Sequence, residues 1–223
     1  MYERIIGLIG IDNFNKIKNT KILLVGVGGV GGFAYEALIR SGFQNITIID
    51  KDKVELSNLN RQLIANLKAI NKPKVDIAKS NALNINENIK IKAIEAYLNK
   101  DNINILENDY NYIIDACDTL NTKLELIRYA QTNNIKIISS MGVGNRVDAS
   151  KIEVSTLDKT YNDPLAKKLR KLVKDNHLNT KVKVVYSKEL PNKKGKVDSM
   201  ITSPGIAGLL IVNYIINDII NPY

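Results

Sequence analysis

Lys21-Ile22-Leu23-Leu24-Val25-Gly26-Val27-Gly28-Gly29-Val30-Gly31 decides the fold. An unbroken apolar run enters a glycine cluster, and a segment with Phe33, Ala34, Ala37 and Leu38 at helical spacing follows. That pattern reads as a buried strand, a tight turn and a helix start. Gly26, Gly28 and Gly31 match G-x-G-x-x-G, and Asp50 closes the next apolar run nineteen residues after Gly31. Such glycines let the backbone approach a phosphate. N–H groups at the helix start, Gly29 among them, hold the anion, and the acid accepts a ribose hydroxyl. Spacing alone does not separate a nicotinamide or flavin site from an ATP site.

Outward from this stretch, residues 2–9 read as a short helix and 10–13 as a turn. Strands follow at 21–25, 45–49, 90–95, 112–115 and 135–139. Helices lie between them at 29–41, from Pro73 onward, at 99–107 as a short connector, and at 122–133; residues 50–62 are too polar and irregular for a simple helix. The alternation predicts an α/β fold with a doubly wound, Rossmann-like, mostly parallel sheet. Past residue 140 the character changes. Strands at 152–157 and 181–186 flank a basic helix that starts at Asp163-Pro164, ends near 175 and turns Leu165, Leu169, Leu172 and Val173 inward. A polar loop, 191–196, precedes an apolar helix from Pro204 to about 220. The reading is a single domain, 1–223, with a nucleotide-binding core at 1–140 and a C-terminal strand and helix elaboration at 141–223. The strictly apolar centre of the last helix, 206–212, is much shorter than a bilayer span, so a buried or subunit-interface helix is expected and no membrane partner.

The chain has 223 residues, enough to bury a full core. Its single cysteine, Cys117, excludes an intramolecular disulfide and a multi-cysteine zinc site. The first residues carry no secretory pattern, and the expected location is cytoplasmic. Net charge is +9, and residues 164–198 alone carry +8 of it. On charge alone that stretch reads first as a solvated face and second as a surface for a polyanion.

Several polar residues collect near the strand ends. Asp50 and Asp52 are followed by Ser57-Asn58, Arg61-Gln62 and Lys74, and Asp118 lies just beyond a strand's carboxyl end. In a doubly wound sheet those ends share one crevice. A glycine loop, an amide, two cations and a carboxylate suit a triphosphate with its magnesium, which a nicotinamide site does not need.

Asp50-x-Asp52-x-Val54-x-x-Ser57-Asn58-Leu59-x-Arg61-Gln62, followed by Pro73-Lys74, resembles the adenylating domain shared by ubiquitin-activating enzymes and the sulfur-carrier activators of thiamine and molybdopterin synthesis. The resemblance implies Asp50 on the ribose, Arg61 and Lys74 on the phosphates, Asn58 in contact with phosphate, and Asp118 on Mg2+. It also implies that Arg4 reaches the ATP of a neighbouring subunit, hence a homodimer. The implied reaction is attack of a carboxylate on the α-phosphate of ATP, leaving an acyl-adenylate and pyrophosphate.

Two absences narrow the family. There is no downstream cysteine nucleophile, and there are no cysteine pairs for zinc. Gly142-x-Gly-Asn-x-x-Asp148, Asp158-Lys-Thr160, Asn162-Asp-Pro-Leu-Ala-x-Lys168-Leu-Arg170, Val185-Tyr-Ser-x-Glu189 and Pro204-Gly-x-Ala-Gly-Leu-Leu210 resemble the bacterial tRNA threonylcarbamoyladenosine dehydratase family. With them the likeness covers essentially the whole chain. It implies ATP-dependent cyclisation of threonylcarbamoyladenosine in tRNA, with the neighbouring carbamoyl group displacing AMP. With tRNA as the implied substrate, Lys167, Lys168, Arg170, Lys171 and Lys174 become phosphate contacts.

Other readings stay open. Gly142 to Arg146 suit an adenylate-pocket wall, a monovalent-cation site built from carbonyls, or a plain strand-end turn. Tyr161 and Tyr186 suit stacking on a flipped base or ordinary packing. Glu189 suits a catalytic carboxylate or a solvated charge, and His177 a solvated loop. Cys117 reads as a small buried residue. The competing activity is an adenylyltransferase for a ubiquitin-like or sulfur-carrier protein. A non-enzymatic ATP-bound scaffold and an NAD dehydrogenase stand further off, and a sulfur-relay protein is a candidate partner.

Overall fold

A computed structural model describes residues 1–192, 195 and 197–221. Seven strands form one sheet: β1 (Lys21–Val25), β2 (Asn45–Asp50), β3 (Lys90–Glu95), β4 (Tyr112–Asp115), β5 (Lys136–Ser140), β6 (Ile152–Thr156) and β7 (Lys183–Ser187). Their order is β3-β2-β1-β4-β5-β7-β6. Every pair is parallel except β6 with β7. The strands are those expected, within one or two residues at each end. Asp50 is the last residue of β2 rather than the first beyond it.

β1 sits between β2 and β4, so the order of strands reverses beside it. A crevice opens at such a switch point, outside the carboxyl ends of the strands. Four of the five residues of β1 are buried, as a central parallel strand covered on both faces requires. Helices α3 (Gly29–Arg40), α4 (Lys74–Ile85), α5 (Leu120–Thr132), α6 (Pro164–Asp175) and α7 (Thr202–Ile220) pack against the sheet or against one another.

Helix α7 begins two residues before Pro204 and lies along α3. Gly208 makes that approach possible: a Cβ there would meet the backbone of Val30 and of Ala34. Ala207, Ile211 and Ile215 are buried, while Ile206 and Leu209 are exposed. By length and composition alone α7 is also long and apolar enough to cross a bilayer.

Two segments depart from expectation. Residues 10–13 are not a turn between a helix and the sheet. Helix α1 (Glu3–Ile9) ends at Gly10, whose φ of 80° pivots the chain directly into a second helix, α2 (Ile11–Asn19). Phe14 and Ile17, one turn apart, are its buried residues. Residues 99–107 hold only one 3-10 turn, Ile103–Ile105. Asn99 Oδ1 accepts from the Asp101 N–H at 2.8 Å, and Asn102 Oδ1 from the Asn99 N–H at 2.8 Å. Side chains that satisfy nearby backbone groups this way offer the chain an alternative to the helix.

The sheet ends on two edge strands, β3 and β6. Lys90 and Lys92 are exposed on β3, and β6 is flanked by Lys151 and by Lys188, whose Nζ lies 2.9 Å from Glu153. Of the polar loop at 191–196, Lys193, Lys194 and Lys196 lie outside the described residues.

Candidate active site

A cleft of about 780 Å³ lies over the carboxyl ends of β1, β2, β4 and β5. Gly26, Gly28, Gly29, Asp50, Asp52, Asn58, Arg61, Gln62, Lys74 and Asp118 all line it. The glycine loop turns sharply after β1. Gly26 has φ 89°, and a Cβ there would stand 2.8 Å from the Ala116 carbonyl oxygen, so only glycine fits. Gly31 belongs to the packing and not to the cleft lining. It is buried in the first turn of α3, where a Cβ would overlap the Gly26 carbonyl oxygen. Its service is to let helix and loop meet.

Asp50 fixes the loop from beneath. Its Oδ2 accepts the Val27 N–H at 2.8 Å and its Oδ1 the Asp52 N–H at 2.8 Å. Each oxygen keeps a second lone pair. The segment after β2 is held by a 3-10 turn, Leu56–Asn58, in which Asn58 Oδ1 accepts the Glu55 N–H at 3.0 Å. Arg61 is half-buried, and its Nη1 donates to the Ser57 carbonyl at 2.7 Å and to Asn60 Oδ1 at 2.9 Å. Ser57 itself is exposed and outside the cleft; its carbonyl, not its hydroxyl, serves the site by orienting Arg61. Gln62 is buried, and its Oε1 has no hydrogen-bond partner.

Lys74 is buried at the start of α4, with Nζ 3.0 Å from Asp52 Oδ2. Burial pushes the Asp52 carboxyl up, but hydrogen bonds from Lys51 and Lys74 outweigh it, and the group sits below its ordinary 3.8. A depressed carboxyl stabilises the fold above its unfolded value, and that contribution disappears as pH falls through the folded value. Asp52→Asn is therefore expected to lower the melting temperature at neutral pH, with the gap to the parent closing below about pH 4. Thermal melts of both proteins across the acid range test it, and a gap that stays constant with pH would refute the assignment.

Beneath the cleft lies an ion pair that sequence reasoning missed. Lys123 and Asp115 are both fully buried. Lys123 Nζ is 3.1 Å from each Asp115 oxygen and donates to the Ser140 carbonyl at 2.7 Å and to Ser139 Oγ at 3.4 Å. Ser139 Oγ in turn donates to Asp115 Oδ2. One ammonium thus ties the end of β4 to the end of β5. The signal was a lysine on the apolar stripe of α5, in line with Leu126, Ile127 and Ala130. Asp118, three residues after Asp115, is exposed on the cleft rim. Burial, followed by the adjacent Asp115, pushes the Cys117 thiol far above its ordinary range.

The far wall is a knot around Arg146, which is 4% exposed. Its guanidinium donates to the carbonyls of Gly142 and Gly144, to that of Asn162 at 3.0 Å, and to that of Glu189 at 2.9 Å. The positive charge that a monovalent cation would bring to the Gly142 and Gly144 carbonyls is already supplied by a side chain. Glu189 is no free catalytic acid, since its carboxylate accepts the Val147 N–H at 3.1 Å and the Asp148 N–H at 2.9 Å. Asp163, also unremarked as a site residue in the sequence, caps α6 through the Ala166 N–H and takes the Gly142 N–H, both at 3.0 Å.

The remaining candidates separate cleanly. Lys167, Lys168, Lys171 and Lys174 are exposed along α6. Arg170 is not free among them: its Nη2 donates to Thr160 O and Oγ1, both at 2.8 Å. Inward on α6 are Ala166, Leu169 and Val173, with Leu165 and Leu172 half-buried and Leu165 at the cleft. Arg4 is exposed on α1, away from the cleft of its own chain.

This geometry fits ATP. The glycine cradle, the orphan Gln62 acceptor, and the cations Arg61 and Lys74 answer its polar groups. Mg2+ is usually held by one or two carboxylates together with phosphates, so Asp118 suffices. Among the described residues no cluster of three His, Cys, Asp or Glu forms a self-sufficient metal cage.

The ThiF family model matches residues 2–221. The chain belongs to the ThiF family. Among relatives of this ThiF-family chain, the tRNA threonylcarbamoyladenosine dehydratase of Bacillus subtilis is 32% identical, over 95% of this chain and 91% of its own length. Dehydratase 2 of Saccharomyces cerevisiae is 31% identical over 95% of this chain and 54% of its own. Escherichia coli TcdA, a tRNA N6-threonylcarbamoyladenosine dehydratase solved in complex with ATP, superposes with a TM-score of 0.93 at 29% identity, covering 98% of this chain and 93% of that one. Escherichia coli MccB, at 21% identity and TM-score 0.68, shares the fold and is matched over only 58% of its length.

Proposed function

We infer that this ThiF-family chain dehydrates threonylcarbamoyladenosine in tRNA at the expense of ATP, releasing AMP and pyrophosphate. The observation that carries the reading is the reach of the likeness. TcdA is matched across 93% of its length, which includes the elaboration beyond the nucleotide core. The core at 1–140 holds the nucleotide, and 141–223 forms the substrate side.

The chemistry follows from the cleft. Asp50 takes the ribose, and Ala96, Leu98 and Ala116 offer an apolar wall for the purine. Arg61 and Lys74 neutralise the phosphates, drawing Lys74 from Asp52, and Asn58 and Gln62 supply further polar contacts. Asp118 would hold Mg2+, which adds charge neutralisation on the phosphates. The substrate carboxylate attacks the α-phosphorus and pyrophosphate departs. The carbamoyl group beside the activated carbonyl then displaces AMP, and the ring closes with net loss of water. The nucleophile belongs to the substrate, and intramolecular attack has a high effective molarity. An enzyme thiol is unnecessary, in keeping with the raised Cys117.

A homodimer completes this reading. Helix α1 buries none of its residues within one chain, leaving Leu8 84% exposed, and Ile11 at the start of α2 is 53% exposed. Packing of a second copy there would bring Arg4 to the neighbour's nucleotide. The exposed lysines of α6 face the tRNA, and the setting is the cytoplasm.

The test is nucleoside mass spectrometry after incubation of the purified protein with ATP, Mg2+ and tRNA carrying threonylcarbamoyladenosine. The expected product is lighter than its precursor by one water, with stoichiometric pyrophosphate. Pyrophosphate released only with a small carrier protein ending in Gly-Gly would replace this reading with a carrier adenylyltransferase.

A further inference from the structure

The segment Thr160 to Asp163 is fastened to the fold on either side of Tyr161 by hydrogen bonds at Thr160, Asn162 and Asp163. Thr160 accepts twice from Arg170. Asn162 is held in the left-handed region at φ 56°, its carbonyl accepts from the buried Arg146 at 3.0 Å, and its Nδ2 donates to the Lys188 carbonyl at 2.9 Å. Asp163 caps α6 and binds the cleft wall at Gly142. A non-glycine residue at positive φ costs free energy and persists where its surroundings over-determine it. Between these anchors stands Tyr161, 51% exposed.

Tyr186 was its equal as a candidate stacking residue, and the structure divides the two. Tyr186 is 1% exposed, with its hydroxyl on Glu153 at 3.1 Å. It packs edge-to-face with Tyr161, with centroids 5.8 Å apart and planes at 76°. Such a contact steadies the Tyr161 ring and covers at most one of its faces. The position is equally specific. Two and three residues further on, Asp163 and Pro164 line the nucleotide cleft. The following turns of α6 set out Lys167, Lys168, Lys171 and Lys174. A half-exposed aromatic ring therefore stands two residues from the cleft lining, on the segment that leads through it into a row of cations.

We propose that Tyr161 is a stacking post for an unpaired RNA base adjacent to the nucleotide that enters the cleft. The proposal rests on the tRNA substrate inferred above. Proteins read single-stranded RNA loops by stacking splayed bases on aromatic rings while cations track the backbone. A ring already fixed in place loses little entropy on binding. Tyr161 thus makes the enzyme prefer a loop to a duplex, while the lysines attract either.

Fluorescence anisotropy with two RNAs tests this. One is an anticodon stem-loop carrying threonylcarbamoyladenosine, and the other is a blunt duplex of the same stem. Tyr161→Ala is expected to weaken stem-loop binding by about tenfold or more, the range seen when a stacked base loses its ring, with duplex binding nearly unchanged. Tyr161→Phe keeps the stem-loop affinity. The rise in melting temperature on adding ATP stays at the parent value in both variants, which establishes that fold and nucleotide site are intact. In turnover, KM for tRNA rises and kcat holds. Stem-loop affinity of Tyr161→Ala equal to the parent's would overturn the proposal, as would equal losses on loop and duplex. If the parent cyclises tRNA and Tyr161→Ala matches it, the stacking post alone falls. If the parent neither binds the stem-loop nor cyclises it, the tRNA reading falls too.

Discussion

Arg61→Ala is expected to lower kcat/KM for tRNA-dependent pyrophosphate release by about 100- to 1,000-fold, with little change in melting temperature. Two magnitudes decide this. A fixed donor aimed at developing charge in a site shielded from water is worth several kcal/mol in the transition state. A half-exposed side chain hydrogen-bonded to its own loop contributes about 1 kcal/mol or less to stability. The proposed function gives Arg61 the first role, and its half-buried position gives it the second. It lines the cleft, and its bonds to the Ser57 carbonyl and Asn60 use Nη1 alone. Steady-state pyrophosphate assays alongside thermal melts provide the check. Activity within about threefold of the parent would remove Arg61 from the phosphate site.

Lys123→Ala is expected to do the reverse, failing first in stability. Removing one partner of a buried ion pair leaves the other uncompensated and costs about 3–5 kcal/mol. For a chain of this size each kcal/mol shifts the melting temperature by about 2–4 °C, so a fall of roughly 10 °C is expected. Lys123→Met with Asp115→Leu is expected to recover part of the loss, because the stranded carboxylate goes with its partner. Recovery is partial, since the Ser140 carbonyl also loses its donor. Denaturant midpoints of the single and double variants measure both effects. A double variant less stable than the single one would show that the pair's bonds to β5 outweigh the cost of burying the charges.

The strands and the glycine loop were legible because burial on both faces of a parallel sheet leaves an apolar run with few alternatives. The cleft-lining residues were legible as a group because one crevice collects whatever follows each strand. Short-range competition defeated the rest. Asn99 and Asn102 bond the local backbone and dissolve a helix that periodicity suggests. Gly10 turns one helix into another where its presence suggested a loop. Among charged residues, four face inward or sideways in roles the sequence did not announce. Lys123 sits on an apolar stripe, Arg146 gathers carbonyls, Arg170 ties down Thr160, and Glu189 accepts two N–H groups. Nothing in local composition distinguishes an arginine that holds backbone from one that awaits phosphate. Gly31 and Ser57 carried the right residue types for ligand contact but serve helix packing and the aim of Arg61.

The lysines at both borders of the sheet have a consequence for how the protein behaves when crowded. An open border is a row of unpaired N–H and C=O groups that any passing extended segment can extend, the first step toward a fibril. Lys90 and Lys92 along one border, with Lys151 and Lys188 beside the other, set charged side chains, three of them paired with carboxylates, in the way of such an addition. A segment that added to either border would have to displace or bury these charges, which disfavours growth along the sheet.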